Sequence, residues 1–521
     1  MAEQDFDRMD ELDFDTLLMD SLPDLPEPEM VRRVNSWRTA MNRILIGLCL
    51  ISVTLNFWKF QYILPPVGWV LMLLGFRRMR KENRWFGLCY GITILWTAHW
   101  VMNLILNTMV LRGEIVSSAP ARLVFTSLML LQVVLYAAFW LGLRQVGKKT
   151  GMNLKTRSAG MLVIWYVLLL CMAFNGLGSS FTGFLMLVVY GIIIYNLHKL
   201  SSVLDQAGYA IESAPIRLSD RVVVSLLAIV VAVGMGCGYL FGGQYPMNWT
   251  ERVPTENAQV SAVKEELLAL DFPEDVLNDL TDQEILALKG TRRVLKGTNQ
   301  QPVNDGRRIR EIRRDEFQRE EIVEEVVYDA KELRVTGVAV LLPGEPERWQ
   351  IIHHFYWQTD PGYWGTESLQ LWPIERTCGS SWWCSDGEVT GRVLVERDGK
   401  SYEAPYYAFG PKTYTSNTMW GGEQTSEDVF AEFSLPRDGE NGRAYLTYPI
   451  AQLQEGCIVD SWVNYTHQTN AVQFPVVTAA EKRMKNGWSR ADVFRTIESA
   501  VQFYPPFQDG PYLKGSEEKG A

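Results

Sequence analysis

Three polar residues spaced four apart, His99, Asn103 and Asn107, fall inside a long apolar run, where a helix would place them on one face. Polar groups in hydrocarbon need partners, so such a stripe faces other helices or a water-filled path. It would serve either as a route for protons or a solute, or as hydrogen bonding between helices. No Asp, Glu, Lys or Arg lies deep in any apolar run, which favours the second reading.

The remaining chemistry-bearing residues lie after position 242. His353 and His354 are adjacent in an alternating stretch, so they point to opposite faces of a strand and cannot share one metal. His467 is the only further histidine there, which leaves a zinc site without ligands, and no cofactor is expected. Cys378 and Cys384 enclose Gly-Ser-Ser-Trp-Trp, a loop short enough for a local disulfide in an oxidising compartment. Cys457 alternates with valines and reads as a buried thiol. Trp364, Trp382 and Trp383 sit in turn-rich stretches; they would either fill a core or form an external aromatic platform for sugar rings, peptides or the lipid interface. Asp398-Gly399-Lys400-Ser401 ends like a phosphate loop, but Leu394 stands where its first glycine belongs. No hydrolase elbow, metalloprotease helix or Cys-x-x-Cys pair occurs, so the balance is against an enzyme.

The elements that must carry these residues fall into four parts. Residues 1–43 form an acidic arm with eleven acids in the first forty positions; it reads as disordered, and residues 1–30 could fold as an amphipathic helix on a basic cytoplasmic partner. Residues 44–241 hold seven apolar runs, at 44–58, 60–76, 85–111, 123–143, 161–174, 181–197 and 222–241, which predict an α-helical bundle in a lipid bilayer. The first two runs are shorter than the ~20 residues a crossing needs, so two tilted spans compete with one re-entrant hairpin. Gly234, Gly238 and Gly242 recur every fourth residue and suit close helix contact, within the bundle or in a homo-oligomer.

Alternate loops of the bundle carry seventeen Lys and Arg on one side against three on the other. Basic residues are retained in the cytoplasm, so the N-terminus is expected inside and everything after residue 241 outside. A formal charge of -10, with most basic residues clustered beside the apolar runs, argues against nonspecific nucleic-acid binding.

Residues 242–325 predict short helices, with a capping box at Thr281-Asp-Gln-Glu284, followed by an Arg- and Glu-rich helix or spacer over 306–325. From about residue 326 the period becomes two. Nine strands are predicted, at 333–342, 348–358, 367–372, 388–396, 401–409, 428–435, 442–449, 457–466 and 471–476, with a hairpin turn at Asp398-Gly399. That pattern predicts an extracytoplasmic antiparallel β-sandwich over 326–521, closed by helix at 478–484 and again at 490–502.

Residues 25–48 (LPEPEMVRRVNSWRTAMNRILIGL), 62–66 (YILPP) and 74–86 (LGFRRMRKENRWF) resemble multi-pass membrane proteins of clostridia-like Gram-positive bacteria, a family of unknown function. The resemblance covers about the first ninety residues well. It implies a bacterial plasma membrane and an extracytoplasmic sandwich, and carries over no site residues. The architecture as a whole reads as an envelope sensor or regulator with an external domain for a cell-wall or peptide ligand. Alternatives are a transporter or intramembrane enzyme built on the polar stripe, and a carbohydrate-binding or structural envelope protein.

Overall fold

A computed structural model describes residues 37–52, 59–152, 154–176, 180–211, 214, 217–253, 257–304, 306–314, 320–372, 383–417, 422–454, 458–471, 473–485, 493–504 and 514–515. The chain divides into two compact units. The first comprises Met1–Leu106 and Gly113–Gly236; the second comprises Asn107–Arg112 and Cys237–Ala521.

The first unit is helical. Its elements are α1 (Trp37–Ser52), α2 (Leu64–Met79), α3 (Arg84–Leu106), the short α4 (Arg112–Ser117), α5 (Ala119–Thr150), α6 (Arg157–Phe174), α7 (Ser180–Gln206) and α8 (Asp220–Phe241). Among the described residues five helices, α3 and α5 to α8, are long and apolar enough to cross a membrane. The two shortest apolar runs become α1 and α2, of 16 residues each. They lie backbone to backbone: a Cβ added to Gly47 would sit 2.6 Å from the Gly68 carbonyl oxygen, and one on Gly75 would sit 2.8 Å from that of Ala40. Small residues permit that approach, which is how helices gain dispersion contact where lipid gives no hydrophobic drive.

Aromatic side chains fill the rest of this core. Trp69 stacks on Trp96 at 4.8 Å, Tyr190 donates to the Leu48 carbonyl at 2.8 Å, and Trp37 donates to Ser201 at 3.1 Å. Outward-facing positions of α5 to α8 remain apolar, for example Leu123, Phe184 and Val233, as expected of surfaces that meet lipid.

The second unit has three layers. One sheet runs in the order β1-β10-β9-β13-β6-β5-β2-β16, with β8 also on β13, and the other runs β11-β12-β7-β14-β15. Their strands are β1 (Thr250–Glu251), β2 (Arg293–Gln301), β5 (Leu333–Leu342), β6 (Arg348–Trp357), β7 (Glu367–Trp372), β8 (Trp383–Ser385), β9 (Thr390–Arg397), β10 (Lys400–Ala404), β11 (Ala408–Asn417), β12 (Glu423–Phe433), β13 (Glu440–Gln452), β14 (Val459–Gln468), β15 (Phe494–Phe503) and β16 (Lys514–Gly515). Among the described residues every ladder in them is antiparallel. The two sheets bury one cluster between them, including Phe355, Leu369, Phe433, Leu446, Val463 and Val501.

On the first sheet's other face lie α9 (Ala258–Ala269), α10 (Glu274–Asp279) and α11 (Asp282–Ala287), packed through Val263, Leu267, Leu277 and Ile285 onto Val338, Ile352 and Leu394. Strands covered on both faces carry continuous apolar runs. That accounts for Leu333–Leu342 and for Ile351 and Ile352 being buried side by side. The Thr281 capping box forms, Thr281 N–H donating to Glu284 at 2.9 Å and Glu284 N–H to the Thr281 hydroxyl at 3.1 Å. Asp398 and Gly399 turn β9 into β10 with φ of 50° and 72°, the left-handed pair a two-residue hairpin demands.

Three expectations are corrected. The stretch over 306–325 is not a helix but the ribbon of β3 (Arg307–Arg314) and β4 (Glu320–Val327), a two-stranded sheet of its own inserted between β2 and β5. Opposite charges meet across it, Arg310 to Glu324 at 2.7 Å, and its apolar residues are outnumbered by charges and keep no strict alternation by which to read it. Helix is also absent from 494–503, where β15 pairs with β14. Phe494, Ile497 and Val501 have helical spacing, yet Ile497 and Val501 face the core while Phe494 packs on the opposite side beside Ala479 of α12 (Ala479–Met484). Finally, the run at 471–476 forms no strand in its described part.

Candidate functional site

Within the second unit, a cleft of about 610 Å³ opens where β1, β9, β10 and β13 meet α9 to α11. Its walls are mostly polar and include Arg252, Lys264, Asp279, Arg392, Glu403 and Arg443. The strand alternation that buries Tyr445 and Thr447 also carries Arg443 inward, and α10 ends with Asp279 beside it.

Asp279, 4% exposed, is the centre of this floor. It accepts from His354 Nε2 at 2.8 Å and from Arg443 Nε at 3.1 Å. Arg443 extends the chain of contacts, donating to Glu396 at 2.6 Å, and Asn441 donates to the same carboxylate at 2.7 Å. Burial alone would raise the Glu396 pKa, but these two donors outweigh it and hold the carboxyl below its ordinary range. For Arg443, burial works against the cation and the carboxylates of Asp279 and Glu396 overcome it, so the guanidinium is held more firmly charged than usual.

At the rim Glu403 pairs with Arg392 at 2.8 Å and Arg252 at 3.7 Å, while Arg252 also donates to the Leu280 carbonyl at 2.6 Å. Lys264 forms no ion pair among the described residues. The result is a surface of fixed, alternating charges, suited to recognising a small polar ligand that carries both signs.

A hydroxyl–imidazole pair lies between the sheets. His353 Nε2 is 2.8 Å from the Ser461 hydroxyl, to which Tyr448 donates at 2.6 Å. All three are sealed in the core, and burial drives the His353 pKa down to about 3. Its Nδ1 has no hydrogen-bond partner among the described residues, so no acid orients the ring. A base that weak, without access for a substrate, does no nucleophilic chemistry. His354 points the other way to Asp279, as the alternation requires. His467 and Glu367 form a third buried pair at 2.7 Å, where burial pushes the Glu367 carboxyl up against the pull of His467. Among the described residues no group of three His, Cys, Asp or Glu is placed to hold a metal ion.

The residues singled out in the sequence are distributed differently. His99 and Asn103 do lie on α3, with His99 set among Trp96, Trp100 and Phe125 at ring distances of 5.6, 6.4 and 6.1 Å. Asn107 lies beyond the helix, which ends at Leu106; it is fully buried in the second unit, and its carbonyl accepts from the Val476 N–H at 2.7 Å. The three-residue stripe is therefore a two-residue one. Gly234 lies against Ile105, and Gly242, past the end of α8, lies against Met109, so both close approaches are made within the chain. Gly238 is buried too.

The aromatic platform does not assemble from the residues named for it. Trp383 is fully buried under β13, Trp364 is half-buried against the core shared by the sheets, and Trp382 lies outside the described residues. Cys378 and Cys457 also lie outside them; the Cys384 thiol donates to the Ala451 carbonyl at 3.7 Å. Instead Trp372 and Trp462, paired directly across β7 and β14, stand 6.5 Å apart on the outer face of the second sheet. The cleft residues carried one legible signal: Arg443 precedes the apolar run of its strand in the same alternating phase as Tyr445 and Thr447.

No protein-family model matches the chain, and no curated protein matches it. A solved structure described as "AvmM Catalyzes Macrocyclization in Alchivemycin A Biosynthesis" aligns with 33% of this chain and 85% of its own, at 14% identity and a TM-score of 0.16. A likeness that weak carries no argument about fold or chemistry. What the helices and sheets define is an integral membrane protein with a large β-rich unit.

Proposed function

We propose that this chain is a plasma-membrane sensor or regulator whose β-rich unit lies outside the cytoplasm and binds a small ligand bearing both charges in the Asp279–Arg443 cleft. Residues 1–30 would carry the signal to a cytoplasmic partner. The observation behind this reading is the cleft itself, a polar hollow of about 610 Å³ with its charged floor locked by buried hydrogen bonds. Sidedness rests on the seventeen-to-three charge bias and on an odd number of crossings. On this reading five full crossings plus the α1–α2 hairpin would put the ends on opposite sides whether that hairpin spans twice or re-enters.

The test is a thermal-shift screen of the full chain in detergent against free amino acids, dipeptides and muropeptides. A stabilising compound whose effect disappears in Lys264→Ala supports the cleft; a panel with no stabilising member, or one unaffected by that change, counts against it. Alkaline phosphatase fused after residue 521 must be active for the sidedness to stand.

A second reading, carbohydrate binding at the cell envelope, is favoured by Trp372 and Trp462. Both indoles are half-buried on a sheet face, and Asp460 accepts from Trp462 Nε1 at 2.6 Å and from Gln502 at 2.5 Å. Paired indoles beside fixed polar groups suit stacking of sugar rings. Retention of the full chain on insoluble peptidoglycan, lost in Trp462→Ala, would select this reading over the first.

A further inference from the structure

We infer that the first unit holds a binding site for the phosphate headgroup of an anionic phospholipid, built from Arg43, Arg77 and Arg78 around Asp220. The three guanidiniums come from α1 and the last turn of α2 and converge on the first residue of α8. Arg43 reaches Asp220 at 2.6 Å, Arg78 at 2.5 Å and Arg77 at 3.4 Å. Arg77 also donates to the Leu218 carbonyl.

The cluster is largely withdrawn from water: side-chain exposure is 9% for Arg77, 18% for Arg78, 27% for Arg43 and 16% for Asp220. Three cations on one carboxylate leave two charges uncompensated in a place where screening by solvent is poor. The adjacent Arg217 and Arg221, which pair with no acid among the described residues, add to the excess. Arg78 Nε is buried and has no partner among the described residues, a donor left over from the contacts the protein makes itself.

The position selects the counterion. Arg77, Arg78 and Asp220 lie at the ends of helices that enter the apolar bundle, and Arg43 reaches them from the middle of α1, so the nearest abundant anion is a lipid phosphodiester. Guanidinium forks match phosphate oxygens, and basic pockets between membrane helices take anionic headgroups in general. A phosphate here would neutralise the surplus and tie α1, α2 and α8 together.

The experiment uses the full chain in nanodiscs of phosphatidylcholine, with or without phosphatidylglycerol, followed by tryptophan-monitored melting and by native mass spectrometry of retained lipid. Phosphatidylglycerol is expected to raise Tm by several degrees and to survive as a bound adduct. Arg43→Gln/Arg78→Gln is expected to lose both effects, while the remote pair Lys148→Gln/Lys155→Gln keeps them. An equal rise in the Arg43→Gln/Arg78→Gln variant, or none in the unaltered protein, would overturn the site. If inorganic phosphate in phosphatidylcholine discs reproduces the rise, the ligand is a free anion and the lipid assignment fails. A lipid effect that appears only after residues 1–30 are removed gives the surplus charge to the acidic arm and likewise overturns it. Should the double Gln variant not fold, adduct retention by the unaltered protein and by Arg43→Lys/Arg78→Lys decides: selective phosphatidylglycerol retention supports the site, and indiscriminate retention overturns it.

Discussion

The Asp279 carboxylate and the Arg443 guanidinium meet at 3.0 Å across 164 residues of sequence, both nearly sealed from solvent. Their contact joins the helical layer to the sheet and sets the floor of the cleft. Removing one member of such a pair leaves the other charged and buried, along with His354. Asp279→Ala is therefore expected to cost about 3–5 kcal/mol, read as a lowered midpoint in denaturant unfolding of the full chain in detergent. The paired change Asp279→Leu/Arg443→Met should cost less than Asp279→Ala alone. If the single change costs under ~1 kcal/mol, the pair does not hold the layers together.

Acid sensitivity follows from His353. Its pKa falls from 6.5 in the unfolded chain to about 3 in the fold, because burial penalises the cation. Between those values the unfolded state binds more protons, so stability is complete above pH 6.5 and is lost as pH falls toward 3. Glu396 acts in the same direction lower down, since its folded pKa lies below the ordinary 4.5 and its stabilisation disappears as pH drops through that value. His353→Gln should flatten the upper part of the profile. A melting temperature of the unaltered protein that stays constant between pH 7 and pH 4 would contradict this.

Much of this was readable from residue order, and the gaps have identifiable causes. The strands at 333–342 and 367–372 have the bounds expected of them, because the runs that form them are set off by polar turn residues. The capping box and the Asp398-Gly399 turn are local in origin and form as local chemistry dictates. The β3–β4 ribbon escaped because its signal is cross-strand charge pairing, invisible to apolar periodicity. Phe494 misled because its partner is a helix on the far side of the sheet. The cleft was hidden for a different reason: Asp279, Glu396 and Arg443 come from distant segments, and nothing in a single sequence states that they converge.

The α1–α2 hairpin supplies a packing test. A side chain at Gly47 would meet the Gly68 carbonyl oxygen, a backbone atom that cannot swing aside. Gly47→Leu is expected to push the helices apart and lower Tm by several degrees in detergent, as overpacking typically costs about 1–3 kcal/mol. Gly91→Leu, where an added Cβ meets nothing within 4 Å, is the control and should leave Tm unchanged. Equal losses at both positions would show that added side-chain bulk anywhere in the bundle, and not this contact, is being measured, since helix propensity favours Leu over Gly.

The β3–β4 ribbon should contribute little stability. Consecutive residues of a strand point to opposite faces, and Arg307 and Arg308 are both exposed, so water reaches both sides. Its Arg310–Glu324 pair is 76% and 46% exposed, and such surface pairs are worth about 0–1 kcal/mol because solvent screens them. The β2–β5 ladder, continuous from Arg293 opposite Leu341 to Gln301 opposite Leu333, does not need the insertion for its register. Replacing residues 306–327 with a short Gly-Ser connector is thus expected to leave Tm within about 2 °C and to remove the first site of tryptic nicking. A larger drop would mean that the ribbon is held by a partner surface, and its charges would then need to be reassigned from solvation to binding.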